Sequence, residues 1–299
     1  MGVQDNSAIP AWRAWWLAIR PRTLPAAAAG IVMGTALAWA DRSFHLLPAL
    51  AALSVALLLQ IGSNVANDVY DFERGADPPN RQGPQRVTQA GWLTPAQMKR
   101  GLYAILVLAA FIGLYLVFLR GPALGLVGLA AIAAAVAYTG GPFPLAYYGL
   151  GDVFVFIFFG LVSVAGSYYV QTGTISGAAL RMSIAVGLII TDILVVNNLR
   201  DLDNDRAAGK RTVAVRIGEP GTRVQYVVFM ALAYALVPLW IWTGGIPAAS
   251  LLVWLSLPWA WKSTRIVLTQ RGRRLNAALA GTGMCALIYS LLFLIGVLI

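Results

Sequence analysis

Long apolar segments separated by short polar ones run along the whole chain. A helix needs about 20 predominantly apolar residues to cross a bilayer, and nine stretches of the chain come near that length. They are residues 23–40, 46–71, 98–119, 121–139, 152–172, 177–200, 222–243, 246–262 and 275–298. The pattern therefore predicts an all-α membrane protein, a single domain over residues 1–299, with nine transmembrane helices around a central cavity.

The second and sixth predicted spans both end in a run of Asn and Asp side chains. The two runs contain Asn64, Asn67, Asp68, Asp71, Asn197, Asn198, Asp201 and Asp205. At 100° per residue, Asn64, Asp68 and Asp71 fall within roughly 60° of one another on a helix. Asp201 and Asp205 also share one face. Seven of the twelve acidic residues lie in or just after these runs, so each helix presents two carboxylates where it leaves the membrane.

Basic residues are distributed unevenly between the predicted loops. If the amino terminus is cytoplasmic, 19 of the 22 Lys and Arg residues lie on the cytoplasmic side, and only Arg42, Arg120 and Arg181 lie on the other. Cytoplasmic loops of membrane proteins carry such an excess. The distribution therefore predicts a cytoplasmic amino terminus and an exterior carboxyl terminus. Residues 1–22, which mix Trp with Arg, are predicted to lie at the membrane interface before the first span.

Composition narrows the class of protein. Hydrophobic residues make up 59% of the chain and charged residues 11%, which is more apolar surface than a soluble domain can bury. The net charge of +10 does not indicate nucleic-acid binding, because the basic residues sit between apolar segments and form no continuous basic helix. The single cysteine, Cys285, excludes an intramolecular disulfide, and the single histidine, His45, excludes a zinc site built from several histidines.

The four aspartates of the two runs are candidates for metal binding. Facing one another, Asp68, Asp71, Asp201 and Asp205 would repel strongly at a membrane boundary unless cations neutralised them. Oxygen ligands of this kind suit Mg²⁺, which usually keeps several waters and is shared with substrate phosphates. The four residues are therefore predicted to be catalytic and to bind Mg²⁺, although any one of them alone would be read as a solvated helix end or a salt-bridge partner.

Each acidic run is followed by a long basic loop, at 72–97 and at 206–221. Long loops in a compact domain are often functional, and these two are predicted to form a cap over a cavity that faces the cytoplasm. Basic side chains beside Mg²⁺ ligands form a suitable site for diphosphate, unless they serve only as topological charges. A diphosphate held above an apolar cavity predicts a polyprenyl diphosphate as the ligand. The predicted diphosphate contacts are Asn64, Asn67, Arg86, Asn198 and Lys210.

The patterns Asn67-Asp68-x-x-Asp71 and Asp201-x-x-x-Asp205 resemble the paired aspartate motifs of the UbiA-type intramembrane prenyltransferases, and the resemblance extends over nearly the whole chain. The superfamily often has a third Asp four residues after the second. This chain has Gly75 there, so no metal role is assigned to Asp77. Four strings more narrowly resemble the 1,4-dihydroxy-2-naphthoate polyprenyltransferases of menaquinone synthesis. They are RPRTLP at 20–25, GPQRVTQ at 83–89, YTGGP at 138–142 and NLRDLDNDRAAGKRT at 198–212.

The resemblance implies a nine-helix enzyme of the bacterial cell membrane that uses Mg²⁺ to transfer a polyprenyl group from polyprenyl diphosphate to dihydroxynaphthoate. The acceptor loses its carboxylate and the product is demethylmenaquinone. No obligate protein partner is implied. Tyr70 and Tyr138 are candidates for stabilising an allylic cation through their ring faces, with helix-end packing as the alternative role. Arg22 is the candidate for binding the acceptor's carboxylate.

Two other functions stay open at this point. Intramembrane carboxylates also mark ion pathways, so a divalent cation transporter is the alternative from a different class, although only Asp152 and Asp192 are prominent acids away from the two runs. Within the same class, the acceptor could be hydroxybenzoate, homogentisate, haem or chlorophyllide. The sequence does not determine prenyl chain length, oligomeric state, the order of substrate binding, or roles for Asp77, Asp152 and Asp192.

Overall fold

The computed structural model describes residues 9–75 and 82–299, and within these residues it contains helices and turns but no β-strand. Residues 1–8 of the predicted interfacial segment, Asp77 and Arg81 lie outside the described ranges. The α-helices are α1 (Ala11–Ile19), α2 (Leu24–Ala40), α3 (Leu46–Glu73), α4 (Pro95–Arg120), α5 (Pro122–Ala137), α6 (Gly151–Val155), α7 (Ser163–Thr172), α8 (Gly177–Arg200), α9 (Leu202–Ala207), α10 (Val213–Trp242), α11 (Leu257–Thr269) and α12 (Leu275–Leu298). The remaining helical turns are 3₁₀ segments at Pro21–Thr23, Leu145–Tyr148, Ala248–Ser256 and Gly272–Arg274, and a π-helical segment at Phe156–Val162.

Local sequence signals set several helix ends. Thr94 caps α4 by accepting the backbone N–H of Gln97 at 3.2 Å, and the Gln97 side chain accepts the N–H of Thr94 at 2.8 Å, which is a capping box. Thr212 caps α10 by accepting the backbone N–H of Val215 at 3.2 Å. α7 ends at Gly173, whose φ of +77° lies in the left-handed region that glycine adopts readily.

Seven helical segments within the described residues are long and apolar enough to cross a membrane. They are Ala11–Ala40, Leu46–Glu73, Pro95–Arg120, Gly151–Thr172, Gly177–Arg200, Val213–Trp242 and Gly272–Leu298. The predicted spans at 121–139 and 246–262 correspond to shorter elements, namely α5 with 16 residues and a 3₁₀ segment that leads into α11. The chain is therefore a multi-pass helical membrane protein, and the count of nine crossings stays a prediction.

The connection predicted at 206–221 is largely helical in the structure. α9 follows α8 after the single residue Asp201, and α10 begins at Val213, well before the predicted start of the seventh span at residue 222. Gly218, with a φ of +72°, interrupts α10 near its start. Pro220 follows, and its ring and missing N–H disfavour a regular helix there. Because Gly218 and Pro220 interrupt the helical pattern, the sequence predicted that the seventh span begins only after them, at residue 222.

α2, α8 and α12 form the centre of the bundle, and small residues allow close packing around them. Buried Met33, Ile189 and Phe293, one on each helix, belong to a single apolar cluster. Gly160 of the π-helical segment lies so close to α8 that a Cβ built on it would be 2.7 Å from the Cα of Gly187. Helices in a bilayer associate by such close packing because lipid provides no hydrophobic force between them.

α1 is an amphipathic helix beside α3. Ala14 and Ala18 are fully buried, whereas Trp12 and Trp16 are exposed. Trp15 lies against α4, where its indole fills the space beside Gly101. This distribution is typical of a helix at a membrane interface, although the position of α1 relative to a bilayer stays a prediction.

Candidate active site

Two cavities meet inside the bundle, where α3 and α8 end. The larger has a volume of about 890 Å³ and a mainly apolar lining contributed chiefly by α2 to α8. The smaller has a volume of about 90 Å³ and is mostly polar. Arg20, Asn67, Tyr138 and Asn197 line both cavities. A polar mouth therefore opens directly into an apolar chamber.

The two acidic runs supply the carboxylates of the polar mouth. Asp71 comes from α3, Asp201 from the junction between α8 and α9, and Asp205 from α9. Asn198 and Asn204 add side-chain amides to the same lining. The fold thus brings together two runs that are far apart in the chain.

Arg86 pairs with Asp71 at the mouth. The Nη2–Oδ2 distance is 2.5 Å, and both side chains are nearly buried, at 6% and 4% exposure. Arg86 also donates to the backbone carbonyl of Asn67. A buried charge must be paired, and both partners of Arg86 lie near the end of α3. These contacts therefore hold the loop after α3 against that helix.

Lys210 pairs with Asp205, and its Nζ lies 3.2 Å from Oδ1. Burial raises the pKa of Asp205 above its ordinary value, although Lys210 opposes this effect. Burial lowers the pKa of Lys210, but the carboxylates of Asp71 and Asp205 outweigh burial and hold this pKa above its ordinary value. Lys210 is therefore a charged ammonium that interacts with carboxylates of both runs.

Asp201 is oriented by the residue before it. Nε and Nη2 of Arg200 lie 3.0 Å and 2.5 Å from the two carboxylate oxygens of Asp201. The same guanidinium donates to the side-chain carbonyls of Asn197 and Asn276, at 2.7 Å each. Arg200 therefore holds Asp201 by a bidentate contact and connects it to Asn276 of α12. The charge pattern of the sequence predicted only that Arg200 lies on the cytoplasmic side.

Asp68 does not line the polar mouth. Its two carboxylate oxygens accept the backbone N–H groups of Val87 and Thr88, each at 3.0 Å, and Nη2 of Arg20 lies 4.0 Å from Oδ2. Asp68 is only 1% exposed, so its carboxylate fastens the first basic loop to α3. The metal role predicted for Asp68 stays a prediction.

Three other predicted residues lie at different depths. Asn64 lines only the apolar chamber, and its Nδ2 donates to the Ile19 carbonyl and the Thr23 hydroxyl, at 2.9 Å each. Tyr138 lines both cavities, whereas Tyr70 lines neither. Packing at a helix end is therefore the better description of Tyr70, and Tyr138 is the tyrosine that faces the junction.

Arg22, predicted to bind the acceptor's carboxylate, is exposed and lines neither cavity. Arg20, two residues earlier, lines both. It has a φ of +54°, which is uncommon for a residue with a side chain, and it turns the chain between α1 and α2. The geometry favours Arg20 over Arg22 as the arginine for an anionic group at the junction.

The donor set suits Mg²⁺ shared with a ligand better than a protein-only metal cage. In the part of the chain that the structure describes, no three Asp, Glu, His or Cys side chains converge to hold one ion. Mg²⁺ needs only one or two carboxylates when waters and substrate phosphates complete its coordination. Asp71, Asp201 and Asp205 at the mouth offer such carboxylates, and oxygen is the ligand type that Mg²⁺ prefers.

The connection 138–150 contributes site residues that the charge pattern did not reveal. Thr139 Oγ1 donates to Asn67 Oδ1 at 2.9 Å, and the Tyr147 hydroxyl lies 3.5 Å from Asp71 Oδ1. Burial raises the pKa of Tyr147, and the Asp71 carboxylate adds to this effect despite two neighbouring cations, so the hydroxyl keeps its proton and is the donor. The connection has no charged residue, so the charge pattern could not indicate that it belongs to the site. In the sequence, only the YTGGP string at 138–142 distinguished this connection.

These features define a class of integral membrane protein with a polar mouth that opens into an apolar chamber, an arrangement that would suit a ligand with an anionic head and an apolar tail. Paired cations and carboxylates at the mouth suit the head, and the chamber between the helices suits the tail. The chain belongs to the UbiA prenyltransferase family, because the family model of that description matches residues 24–291. The family resemblance of the acidic motifs is thereby confirmed.

Similar proteins extend over nearly the full chain. The 1,4-dihydroxy-2-naphthoate octaprenyltransferase of Escherichia coli (strain K12) is 40% identical over an alignment of 301 positions, which covers 95% of this chain and 95% of its own. The protein of the same name from Haemophilus influenzae is 37% identical and covers 95% of this chain and 96% of its own. A solved structure of a UbiA homolog from Archaeoglobus fulgidus, bound to GPP and Mg²⁺, has a TM-score of 0.66 at 15% identity and covers 96% of this chain and 100% of its own. This last likeness shows a shared fold.

Proposed function

We propose that this protein transfers a polyprenyl group from polyprenyl diphosphate to 1,4-dihydroxy-2-naphthoate in a bacterial cell membrane, using Mg²⁺. The product is demethylmenaquinone in its quinol form, with release of diphosphate and CO₂. The observation that carries the proposal is the polar mouth that opens into an apolar chamber of about 890 Å³. The names of the E. coli and H. influenzae relatives support the choice of donor and acceptor.

The two cavities suit the two parts of a prenyl diphosphate. The hydrocarbon tail would occupy the apolar chamber, where it leaves no polar group without a partner. The diphosphate would occupy the mouth beside Asn67 and Asn198, with Asn64 deeper, at the chamber wall. The allylic carbon, which joins head and tail, would then lie at the junction.

Arg86 and Lys210 are the proposed contacts for the departing diphosphate. Both lie against carboxylates of the mouth, so they can bridge carboxylate and phosphate oxygens through charge-assisted hydrogen bonds. Asp71, Asp201 and Asp205 would hold Mg²⁺ shared with the diphosphate. Asp68, predicted from the sequence as the fourth ligand, would instead hold in place the loop that carries Arg86. When bound, Mg²⁺ supplies additional neutralisation of the charge on the leaving group. The Mg²⁺ and GPP bound to the A. fulgidus homolog support Mg²⁺ and a prenyl diphosphate as the ligands of the site.

The proposed reaction is balanced without an external oxidant or reductant. The bond between the allylic carbon and the diphosphate oxygen breaks, and its electron pair leaves with the diphosphate. The acceptor ring forms a C–C bond to the allylic carbon, and its carboxylate leaves as CO₂ while the bonding pair returns to the ring. Tyr138 would stabilise positive charge at the allylic carbon through its ring face, and Arg20 would orient the acceptor through its carboxylate before that group is lost.

The membrane arrangement is part of the proposal. α5 and the segment 248–269 would provide the two crossings beyond the seven long helices. With nine crossings, 19 of the 22 basic residues lie on the same side as the amino terminus and the loops after α3 and α8. That side would be the cytoplasmic one, because cytoplasmic loops carry an excess of basic residues. The mouth would then open towards the cytoplasm, beneath a cap formed by those loops.

A divalent cation transporter is less well supported. An ion pathway needs polar groups through the depth of the membrane, and the lining of the larger cavity, as far as the structure describes it, contains no carboxylate. The acidic residues are concentrated at one end of the bundle.

Lipid vesicles that contain the purified chain provide the test. They are supplied with labelled polyprenyl diphosphate, Mg²⁺ and, in separate reactions, dihydroxynaphthoate, hydroxybenzoate or homogentisate. We expect a labelled, decarboxylated product with dihydroxynaphthoate only, and no product in excess EDTA. Product from another acceptor would change the substrate but retain the class of enzyme. Mg²⁺ flux without any prenylated product would favour the transporter.

A further inference from the structure

The uncharged connection 138–150 contributes to the lining of the polar mouth and is attached to both halves of the site. The first half is the end of α3 with the loop after it, and the second half is the end of α8 with α9 and the loop after α9. On the side of the first half, Thr139 donates to the Asn67 side chain at 2.9 Å, and Arg74, just after α3, donates to the Gly141 carbonyl. Asn67 lies four residues before Asp71 and Arg74 three residues after it, so the two contacts are made about one helical turn to either side of the carboxylate that the first half contributes to the mouth. The start of the connection therefore follows the position of the end of α3.

The other end of the connection is attached to the loop between α9 and α10 and to the first turn of α10. The backbone N–H of Arg211 donates to the Tyr147 carbonyl at 2.8 Å, and Arg216 Nη2 donates to the Tyr148 carbonyl at 2.8 Å. Gly149, with a φ of +78°, makes this approach possible, because a Cβ there would lie 2.6 Å from the Arg211 carbonyl oxygen. This loop carries Lys210 into the mouth.

Tyr147 is the residue at which the two attachments meet. Its ring centroid lies 5.6 Å from Arg74 Cζ and 5.0 Å from Lys210 Nζ, and its hydroxyl lies 3.5 Å from Asp71 Oδ1. Two cations near one another repel, and an aromatic ring near both offsets this repulsion through its electron-rich face. The side chain thus lies beside one cation from each half and beside the Asp71 carboxylate.

We propose that Tyr147 is a positioning residue for diphosphate binding, which fixes Lys210 of the second half relative to Arg74 and Asp71 of the first. The inference rests on the proposed function only in taking diphosphate as the ligand of the mouth. A lysine on a loop loses conformational freedom when it binds a phosphate, and a contact that orders it beforehand reduces that loss. Tyr147 need not touch the phosphate to have this effect.

The first test measures binding of inorganic pyrophosphate with Mg²⁺ to the full-length protein in lipid nanodiscs by calorimetry. Tyr147→Leu removes the ring and the hydroxyl, and should weaken binding by roughly five- to thirtyfold if two modest cation–ring contacts are lost. Tyr147→Phe keeps the ring and should bind within about threefold of the unaltered protein. Tyr148→Leu is the matched control, because Tyr148 is the adjacent, exposed tyrosine and its ring neighbour is Phe143, at 6.2 Å. It should bind as the unaltered protein does.

The second test separates a positioning role from a general effect on folding. In the transfer reaction, Tyr147→Leu should raise the KM for prenyl diphosphate and leave the KM for the acceptor unchanged. In a Lys210→Gln background, the further loss of pyrophosphate affinity caused by Tyr147→Leu should fall to about half or less of its original factor, because residues in contact are not additive. Melting temperatures of all variants in detergent provide the check on folding.

The outcomes distinguish this inference from the proposed function. Equal losses for Tyr147→Leu and Tyr148→Leu would overturn the positioning role, as would an undiminished loss in the Lys210→Gln background. Pyrophosphate binding requires no acceptor, so these results hold even if the chain uses a different aromatic substrate. If the unaltered protein bound no pyrophosphate, the diphosphate site and the role of Tyr147 would both be wrong.

Discussion

Asp68 and Asp71 lie almost one helical turn apart on α3, yet their surroundings differ. Asp71 lines the mouth beside Arg86, whereas Asp68 accepts two backbone N–H groups of the following loop. The two N–H groups donate to different oxygens of Asp68, and Asn would replace one of those oxygens with an NH₂ group, which donates and cannot accept. The two carboxylates should therefore respond differently to the same substitution.

Asp71→Asn should raise the Mg²⁺ concentration needed for half-maximal prenyl transfer by at least about tenfold, because a charged ligand contact is lost. Added Mg²⁺ should partly restore its turnover. Asp68→Asn should lose turnover without recovery at high Mg²⁺, since its main effect is on the loop that carries Arg86. Mg²⁺ titrations of both variants provide the measurement. Equal shifts would make Asp68 a metal ligand, and no shift for Asp71→Asn would remove Asp71 from the metal site.

Arg20 and Arg22 form a matched pair for locating the acceptor. Arg20→Gln should raise the KM for dihydroxynaphthoate by about ten- to a hundredfold, as expected for a lost charge-assisted hydrogen bond. Arg22→Gln removes the same charge from an exposed position outside both cavities and should leave that KM nearly unchanged. Steady-state kinetics with varied acceptor decide between them. A larger effect at Arg22 would restore the prediction made from the sequence.

Lys210 and Arg86 are proposed to bind diphosphate rather than only to set topology. Lys210→Gln and Arg86→Gln should each reduce turnover or prenyl diphosphate affinity about ten- to a hundredfold per inserted molecule. The control is Arg265→Gln, which removes an exposed charge on α11. Arg271 would be a poorer control because it donates to Glu219 at 2.8 Å. Equal losses in all three variants, or no loss in any, would leave these bases as topological charges.

At the scale of helices, glycine determines how closely α2 and α7 approach. A Cβ on Gly34 would collide with the Val164 carbonyl and the Ser167 hydroxyl, and backbone cannot move aside easily. Gly34→Ala should therefore destabilise the protein by about 1–3 kcal/mol, as overpacking usually does. Gly113→Ala in α4 is the control, since a Cβ there meets nothing within 4 Å. Melting temperatures in detergent measure the difference, and equal values would contradict the packing argument.

Several elements were predictable because their signals are local. The predicted spans at 46–71 and 177–200 agree closely with α3, Leu46–Glu73, and α8, Gly177–Arg200. The π-helical turn at Phe156–Val162 was not predictable, because an apolar run gives the same signal for either type of helix. Its geometry depends on packing, with Gly160 set against Gly187 of α8.

At the scale of the whole molecule, topology is the property to test. Cys285 is buried in α12, so it is first replaced by Ala. Cysteines are then introduced singly at Gln82 and after Ile299. An odd number of crossings with a cytoplasmic amino terminus predicts that the first reacts with an impermeant thiol reagent from the cytoplasmic side and the second from the exterior. Labelling of both from one side would refute the nine-span arrangement.

The sequence by itself determined the helical membrane class, most span positions, the uneven charge and the two acidic helix ends. These properties follow from bilayer thickness and helical periodicity, which act over about 20 neighbouring residues. The sequence also predicted Arg86 and Lys210 as site residues because they closely follow the acidic runs, and both line the polar mouth.

Only the tertiary structure decided which side chains share one cavity. In the structure, Asp68 accepts two backbone N–H groups of the loop after α3, and Arg20 rather than Arg22 lines both cavities. Tyr147 lies beside both Arg74 and Lys210. Each of these outcomes depends on which face of one helix meets a distant segment. Local periodicity leaves that choice open, and packing among small residues inside the bundle determines it.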